Sequence, residues 1–199
     1  MNVKRVYFVG VGGQGNILAT KLVGEAALAS DIQISISETH GMAQRGGVVA
    51  STAVIGALSP IISDGKADVI VAFEPLEALR VLPKAHKDTV LITSVSKIQP
   101  FTVAIGKGVY PDIDKALAYL KSKVKSVIAF DALAEAKAAN NPLGVNMVML
   151  GALMAVGDIP LSETALRTAI QTRTKKAFIE ANLACFERGY QAAKAALAQ

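Results

Sequence analysis

The chain has 199 residues, 52% hydrophobic and 19% charged, which is enough apolar material for one buried core and excludes a disordered segment. Lys and Arg outnumber Asp and Glu by 21 to 16, but the cations are scattered and aromatics reach only 5% with no Trp, which argues against a nucleic-acid surface. One cysteine, Cys185, excludes an intramolecular disulfide, a cysteine-rich zinc site and a four-cysteine iron–sulfur cluster, and His40 and His86 lack zinc-ligand spacing.

The first residues run straight into an apolar strand, Val3–Val9, without a signal-peptide pattern. Gln14–Ser30 has Leu18, Leu22, Ala26 and Ala29 at helical spacing. Gln33–Ser37 and Val48–Ile55 read as strands, the second bounded by Gly46-Gly47 and Gly56. Asp68–Phe73 is a continuous apolar run, as in a strand covered on both faces, and a short helix follows from Pro75. Thr89–Thr93 and Ser126–Phe130 are further strands, and Asp112–Lys123 and Ala132–Ala139 fit helices. Strands alternating with helices predict an α/β fold, three-layered and Rossmann-like, with a mostly parallel sheet.

The last part of the chain reads as helical. Gly144–Val156 is apolar all round and ends at Gly157, with Pro160 beyond it. Its run from Leu143 is shorter than the ~20 residues of a membrane span. Its methionines, Met147, Met149 and Met154, with Leu150, are expected to need a partner chain or a second copy to cover the side that the core leaves open. Ser162 reads as a helix N-cap with Glu163 in the first turn. Lys176–Leu197 carries Ile179, Leu183, Phe186, Tyr190, Ala193 and Leu197 on one stripe, which either docks on the sheet or serves as a partner helix. The chain reads as a single soluble, cytoplasmic domain over residues 1–199, with no membrane segment.

Three segments can carry chemistry. Gly10-Val11-Gly12-Gly13-Gln14-Gly15 follows a strand and opens a helix, where glycines permit a tight turn and free N–H groups meet an anion. Glu38, 23 residues beyond Gly15, stands where a dinucleotide site places its acid, so a stand-alone NAD-dependent dehydrogenase is one alternative. Tight strand–helix packing alone is the other explanation of these glycines. The polar segment Ser37–Gly47 holds Thr39, His40, Gly41, Gln44, Arg45 and Gly46 between two strands, and Arg45 offers a planar fork for phosphate or carboxylate. In a parallel sheet the first and second strands end on one rim, so the two segments line one crevice; a surface loop with a locally paired Arg45 is the plainer reading. Glu74 ends a buried strand, as an acid–base group or a helix cap, and Thr93, Ser94 and Asp131 end later strands on the same rim. No nucleophile–base pair and no metal-ligand set is visible, and Cys185 fits a core thiol.

GVGGQG, ETHGMAQRGG, ADVIVAFEPLEALR and NMVMLGAL occur in this order over nearly the whole chain. Together they resemble the gamma-type chains of the 2-oxoacid:ferredoxin oxidoreductases, in particular the small subunits of the indolepyruvate type. The stretch His40–Gly47 is the most specific of the four. The resemblance implies a subunit that is inactive alone, in a complex oxidising 2-oxo acids such as arylpyruvates to acyl-CoA and reducing ferredoxin. It implies thiamine diphosphate, magnesium and iron–sulfur clusters in a large partner subunit, and coenzyme A as co-substrate, with self-association left open. The gamma chain of a four-subunit pyruvate, oxoglutarate or branched-chain enzyme is the nearest rival. No catalytic residue is implied here; ligand contacts are expected among Gly10, Gly12, Gly13, Gln14, Gly15, Thr39, His40, Gly41, Gln44, Arg45 and Gly46.

Overall fold

The computed structural model describes residues 2–40, 47–98, 103, 105–156 and 158–198. Gly41, Gln44, Arg45, Gly46 and Gly157 lie outside the described residues. The strands are β1 (Lys4–Val11), β2 (Ile34–His40), β3 (Val48–Ile55), β4 (Ala67–Ala72), β5 (Ala85–Ser94) and β6 (Ser126–Phe130). They form one sheet in the order β2-β3-β1-β4-β5-β6. β4 is parallel to β1, β5 to β4 and β6 to β5. β3 is antiparallel to both β1 and β2.

The position of β3 corrects one expectation. β1 and β2 run in the same direction and do end on one rim, but β3 lies between them, pairing Val11 with Val48 and His40 with Val49. Glu38 sits on the edge strand opposite Ser51 and pairs with Lys21 at 3.5 Å. A dinucleotide site needs its acid on the strand beside the glycine turn. β3 fills that place, so Glu38 cannot play the part.

Side chains alternate across the strands, as the two-residue period requires. Val6, Phe8, Ala53, Ile55, Val69, Val71 and Ile92 face one side. There they meet α1 (Asn16–Leu28), α4 (Ala132–Ala138), α5 (Val145–Val156), α6 (Glu163–Arg173) and α7 (Ile179–Leu197). Val9, Val54, Ile70, Ala72 and Leu91 face the other side and meet α2 (Pro75–Arg80) and α3 (Ile113–Lys121) through Ala78 and Leu120. The result is helix, sheet, helix. Asp112, Asp131 and Ser162 each accept a backbone N–H at the start of α3, α4 and α6, as short polar side chains do at N-caps.

α5 is buried from Asn146 to Met154. The expectation that a second chain must cover Met147, Met149, Leu150 and Met154 is overturned, because this chain's own sheet and helices enclose all four. The closest cover is α7, which begins after a 3₁₀ turn at Lys176–Phe178. Of the expected stripe, Phe186 and Ala193 are buried and Leu183 and Tyr190 pack against the core; Asn182, Cys185 and Gly189 complete the buried face, and Leu197 stands 48% exposed. Cys185 is a core thiol whose pKa burial pushes up.

The two helices touch backbone to backbone. A Cβ on Gly189 would lie 1.9 Å from the Val148 carbonyl oxygen, and one on Gly151 would lie 1.9 Å from that of Phe186. Alanine at an exposed helix position stabilises by about 1 kcal/mol over glycine. Here the sign must reverse. Gly189→Ala is expected to destabilise the chain by about 3 kcal/mol through overpacking, lowering the melting temperature by roughly 6–12 °C. Ala195→Ser, on the exposed face of the same helix, should change stability by less than about 0.5 kcal/mol. Thermal unfolding of both variants checks the crossing, and an unchanged Gly189→Ala midpoint would contradict it.

Candidate functional site

β1, β2, β4, β5 and β6 end, and β3 begins, on the same rim of the sheet. The glycine turn leaves β1 there. Gly10 is still within the strand, where a Cβ would meet Gln14 Oε1 at 2.8 Å and Phe73 Cβ at 3.0 Å. Gly12 N donates to Gly47 O at 2.9 Å, which joins the turn to the end of the Thr39–Gly47 segment. Gly13 has φ +103° with open space beside it, and Gly15 has φ +78°. Both conformations disfavour any residue with a Cβ. Gly15 also needs to be small, since a Cβ there would lie 2.7 Å from Asn146 Nδ2. α1 starts at Asn16 with no side-chain bond from its N-cap Gly15 and no acid in its first turn, so no carboxylate offsets its positive end, although Asn16 Oδ1 accepts Ile17 N at 3.0 Å.

Gln14, expected among the ligand contacts, holds two strand ends through its side chain. Its Oε1 accepts Val11 N at 2.7 Å and its Nε2 donates to Phe73 O at 2.8 Å. The amide therefore clamps the ends of β1 and β4 together with both polar atoms engaged. Thr39 is exposed near the end of β2 opposite Ala50, and His40 ends that strand.

A crevice of about 370 Å³ opens beside the turn. Gly13 and Gln14 line it from the first strand, with Phe73 from the end of the fourth. Ser94, Ser96, Lys97 and Ile98 line it after β5, and Leu133, Pro142, Leu143 and Val145 complete the wall. Thr93 does not reach it, since its buried hydroxyl bonds Ser94 O. Ser94 Oγ donates to Ser96 Oγ at 3.1 Å, and Ser96 Oγ donates to Asp131 Oδ1 at 2.5 Å. Burial opposes ionisation of Asp131, but that bond and the Ala134 and Leu133 amides hold its carboxyl below the usual range. Among the described residues no group of three His, Cys, Asp or Glu side chains converges as metal ligands, and no helix is long and apolar enough to cross a membrane.

Glu74 caps α2 as the sequence suggested, accepting Leu76 N at 2.7 Å and Glu77 N at 3.2 Å through Oε2. It is 1% exposed, and Oε1 accepts Ile98 N at 3.3 Å and the Tyr110 hydroxyl as well. Burial, then the bond to Glu74, pushes the Tyr110 phenol up. Burial also raises the Glu77 carboxyl, against the pull of Arg80 at 2.7 Å. Sequence reasoning placed Ser94 on the rim but missed Ser96, Lys97 and the Leu133–Val145 wall. The one available signal was their position just beyond strand ends.

The family described as pyruvate ferredoxin/flavodoxin oxidoreductase matches residues 5–192. Indolepyruvate oxidoreductase subunit IorB of Methanothermobacter thermautotrophicus is 41% identical over 189 residues, covering 94% of this chain and 96% of its own. The gamma subunit of a keto/oxoacid ferredoxin oxidoreductase from Geobacter sulfurreducens superposes with a TM-score of 0.71 at 26% identity, covering 96% of this chain and 99% of that one. The 2-oxoglutarate:ferredoxin oxidoreductase from Magnetococcus marinus shares the fold, with a TM-score of 0.74 at 19% identity over 98% of this chain and 32% of its own.

The Gln14 clamp can be tested apart from any ligand. Gln14→Glu removes the donor to Phe73 O and leaves that carbonyl unpaired, at about 1–3 kcal/mol near neutral pH. Protonated glutamic acid can donate again. Burial raises the folded-state pKa of the new carboxyl above its unfolded value of about 4.3. Its stabilising protonated form is thus present below the unfolded pKa and lost as pH rises through the folded pKa. Urea denaturation should show a deficit at pH 7 that narrows as pH falls into the carboxyl range; a pH-independent deficit would contradict the clamp.

Proposed function

The chain belongs to the pyruvate ferredoxin/flavodoxin oxidoreductase family, and from that membership we propose how it serves its complex. It is a subunit of a 2-oxoacid:ferredoxin oxidoreductase. In our reading it is a single gamma-type domain beside a larger subunit that bears thiamine diphosphate, magnesium and iron–sulfur clusters. The complex oxidatively decarboxylates arylpyruvates such as indolepyruvate to acyl-CoA and passes the electrons to ferredoxin. One cysteine leaves this chain unable to hold a four-cysteine cluster, which suits that division of labour.

The observation that carries the reading is the open face of the glycine turn. Gly13 has unfilled space beside its backbone and lines, with Gln14, a crevice with an apolar wall; α1, two residues further on, has no side-chain bond at its N-cap. Such a turn seats a phosphate on backbone N–H groups. Coenzyme A, which supplies the thiol that accepts the acyl group, fits this pattern of phosphate plus extended body. Gly13 and Gly15 would seat its phosphate, Gly12 and Gln14 would hold the turn's shape, and the segment Thr39, His40, Gly41, Gln44, Arg45 and Gly46 would meet the anion through Arg45.

Two outcomes test this. The purified chain should be colourless and should not reduce dye with arylpyruvate and coenzyme A until the large subunit is added; brown absorbance or turnover without a partner contradicts the assignment. Arg45→Ala in the reconstituted complex should raise the KM for coenzyme A by about 10- to 150-fold, from the loss of a charge-assisted hydrogen bond of roughly 1.5–3 kcal/mol. An unaltered KM would make Arg45 a contact within its own loop or to the large subunit.

A further inference from the structure

We propose that Lys97 is an anion-binding residue of the crevice, and that Tyr110 and Glu74 are positioning residues that hold it there. This rests on reading the chain as part of a 2-oxo acid oxidoreductase and adds a cation to the site proposed above. Lys97 is the one cation among the described residues lining the crevice, three residues beyond the end of β5. A lysine on an open rim samples many rotamers and by itself is poorly placed to bind. Here its Nζ sits 5.6 Å from the centroid of the Tyr110 ring, within reach of the ring's negative face. Tyr110 is fixed in turn by its hydroxyl on Glu74.

The use of Glu74 shows that this is more than a helix cap. Capping α2 occupies Oε2 alone. Oε1 is turned toward Ile98 N, the amide just after Lys97, and toward Tyr110. One buried carboxylate thus holds the backbone next to Lys97 and the ring beneath its ammonium. Its charge is spent on four donors. The other nearby carboxylate, Asp131, is taken up by Ser96 and the Ala134 amide. Among the described residues Lys97 forms no salt bridge. Its charge therefore remains for a ligand. Phe73, Ile98, Leu133 and Leu143 make the rest of the wall apolar, so the ligand class is a phosphate or carboxylate carried on an apolar body. Coenzyme A and an arylpyruvate both meet that description.

The test uses the reconstituted complex, with KM measured separately for coenzyme A and for indolepyruvate. Lys97→Ala should raise one of them by about tenfold or more with kcat unchanged, as loss of a charge-assisted contact predicts. A shift for coenzyme A assigns a phosphate, and a shift for indolepyruvate assigns the carboxylate. Lys97→Arg should stay within about threefold of wild type. Tyr110→Phe keeps the ring and removes the hydroxyl; it should move the same KM by a smaller factor. Because Lys97 is exposed, its alanine variant should melt with the wild type. If Lys97→Ala leaves both KM values unchanged while Arg45→Ala still shifts that for coenzyme A, the role of Lys97 is refuted alone. If Tyr110→Phe shifts a KM that Lys97→Ala does not, Tyr110 acts through something other than Lys97 and the proposal fails. A wild-type complex without coenzyme-A-dependent turnover would instead sink the functional reading.

Discussion

Two helix backbones touch where Gly151 crosses Gly189, and the geometry of the rim follows from that contact. The crossing lets α7 lie on α5 with no side chain between them, so α5 is covered on the face turned from the sheet. That fixes the N-terminal end of α5, where Asn146 Nδ2 reaches Gly15 O at 3.4 Å. Gly15 in turn sets the start of α1. A helix crossing in the core thus dictates where the donors of the glycine turn point. The cost is glycine in two helices, about 1 kcal/mol each in propensity, offset by the packing that close approach allows.

The rim itself is organised by polar side chains that each use both of their ends. Gln14 ties the end of β1 to the end of β4. Glu74 ties the end of β4 to the segment after β5 and to Tyr110. Ser96 and Asp131 tie that segment to the start of α4. Groups engaged in this way are unavailable to a ligand, and they rigidify what is left. What is left is the bare backbone at Gly13, the Lys97 ammonium and an apolar wall. An active site assembled between chains benefits from such preorganisation, because a ligand that meets fixed donors loses less freedom on binding.

Much of this was legible in the sequence. β3 and β6 fall where the β-branched and apolar runs placed them, α2 and α6 start at their expected caps, and α4 starts at the expected Ala132, capped by Asp131. The glycine turn and its strand–helix context were plain, since few other sequences satisfy that backbone. The insertion of β3 was not, because pairing partners are long-range and the period of two is the same in parallel and antiparallel strands. The α7 stripe was legible at Leu183, Phe186, Tyr190 and Ala193 but not at Gly189, which makes the closest contact without an apolar side chain to signal it. That gap made α5 look in need of a partner. The strand clamp made by Gln14 was not legible, because it depends on the proximity of Phe73 O, 59 residues away. Lys97 carried no motif; its meaning lies in Tyr110 and Glu74, distant in sequence.

We propose that the crevice beside the glycine turn is a ligand site completed in a larger assembly. Hydrogen–deuterium exchange on the reconstituted complex addresses it most directly, comparing the free chain, the assembled complex, and the complex with coenzyme A. Slowed exchange on assembly, with a further decrease on adding coenzyme A at the amides of residues 12–17 and 94–98, is the predicted result. Unchanged exchange in both segments under all three conditions, with protection appearing only elsewhere on the chain, would contradict it.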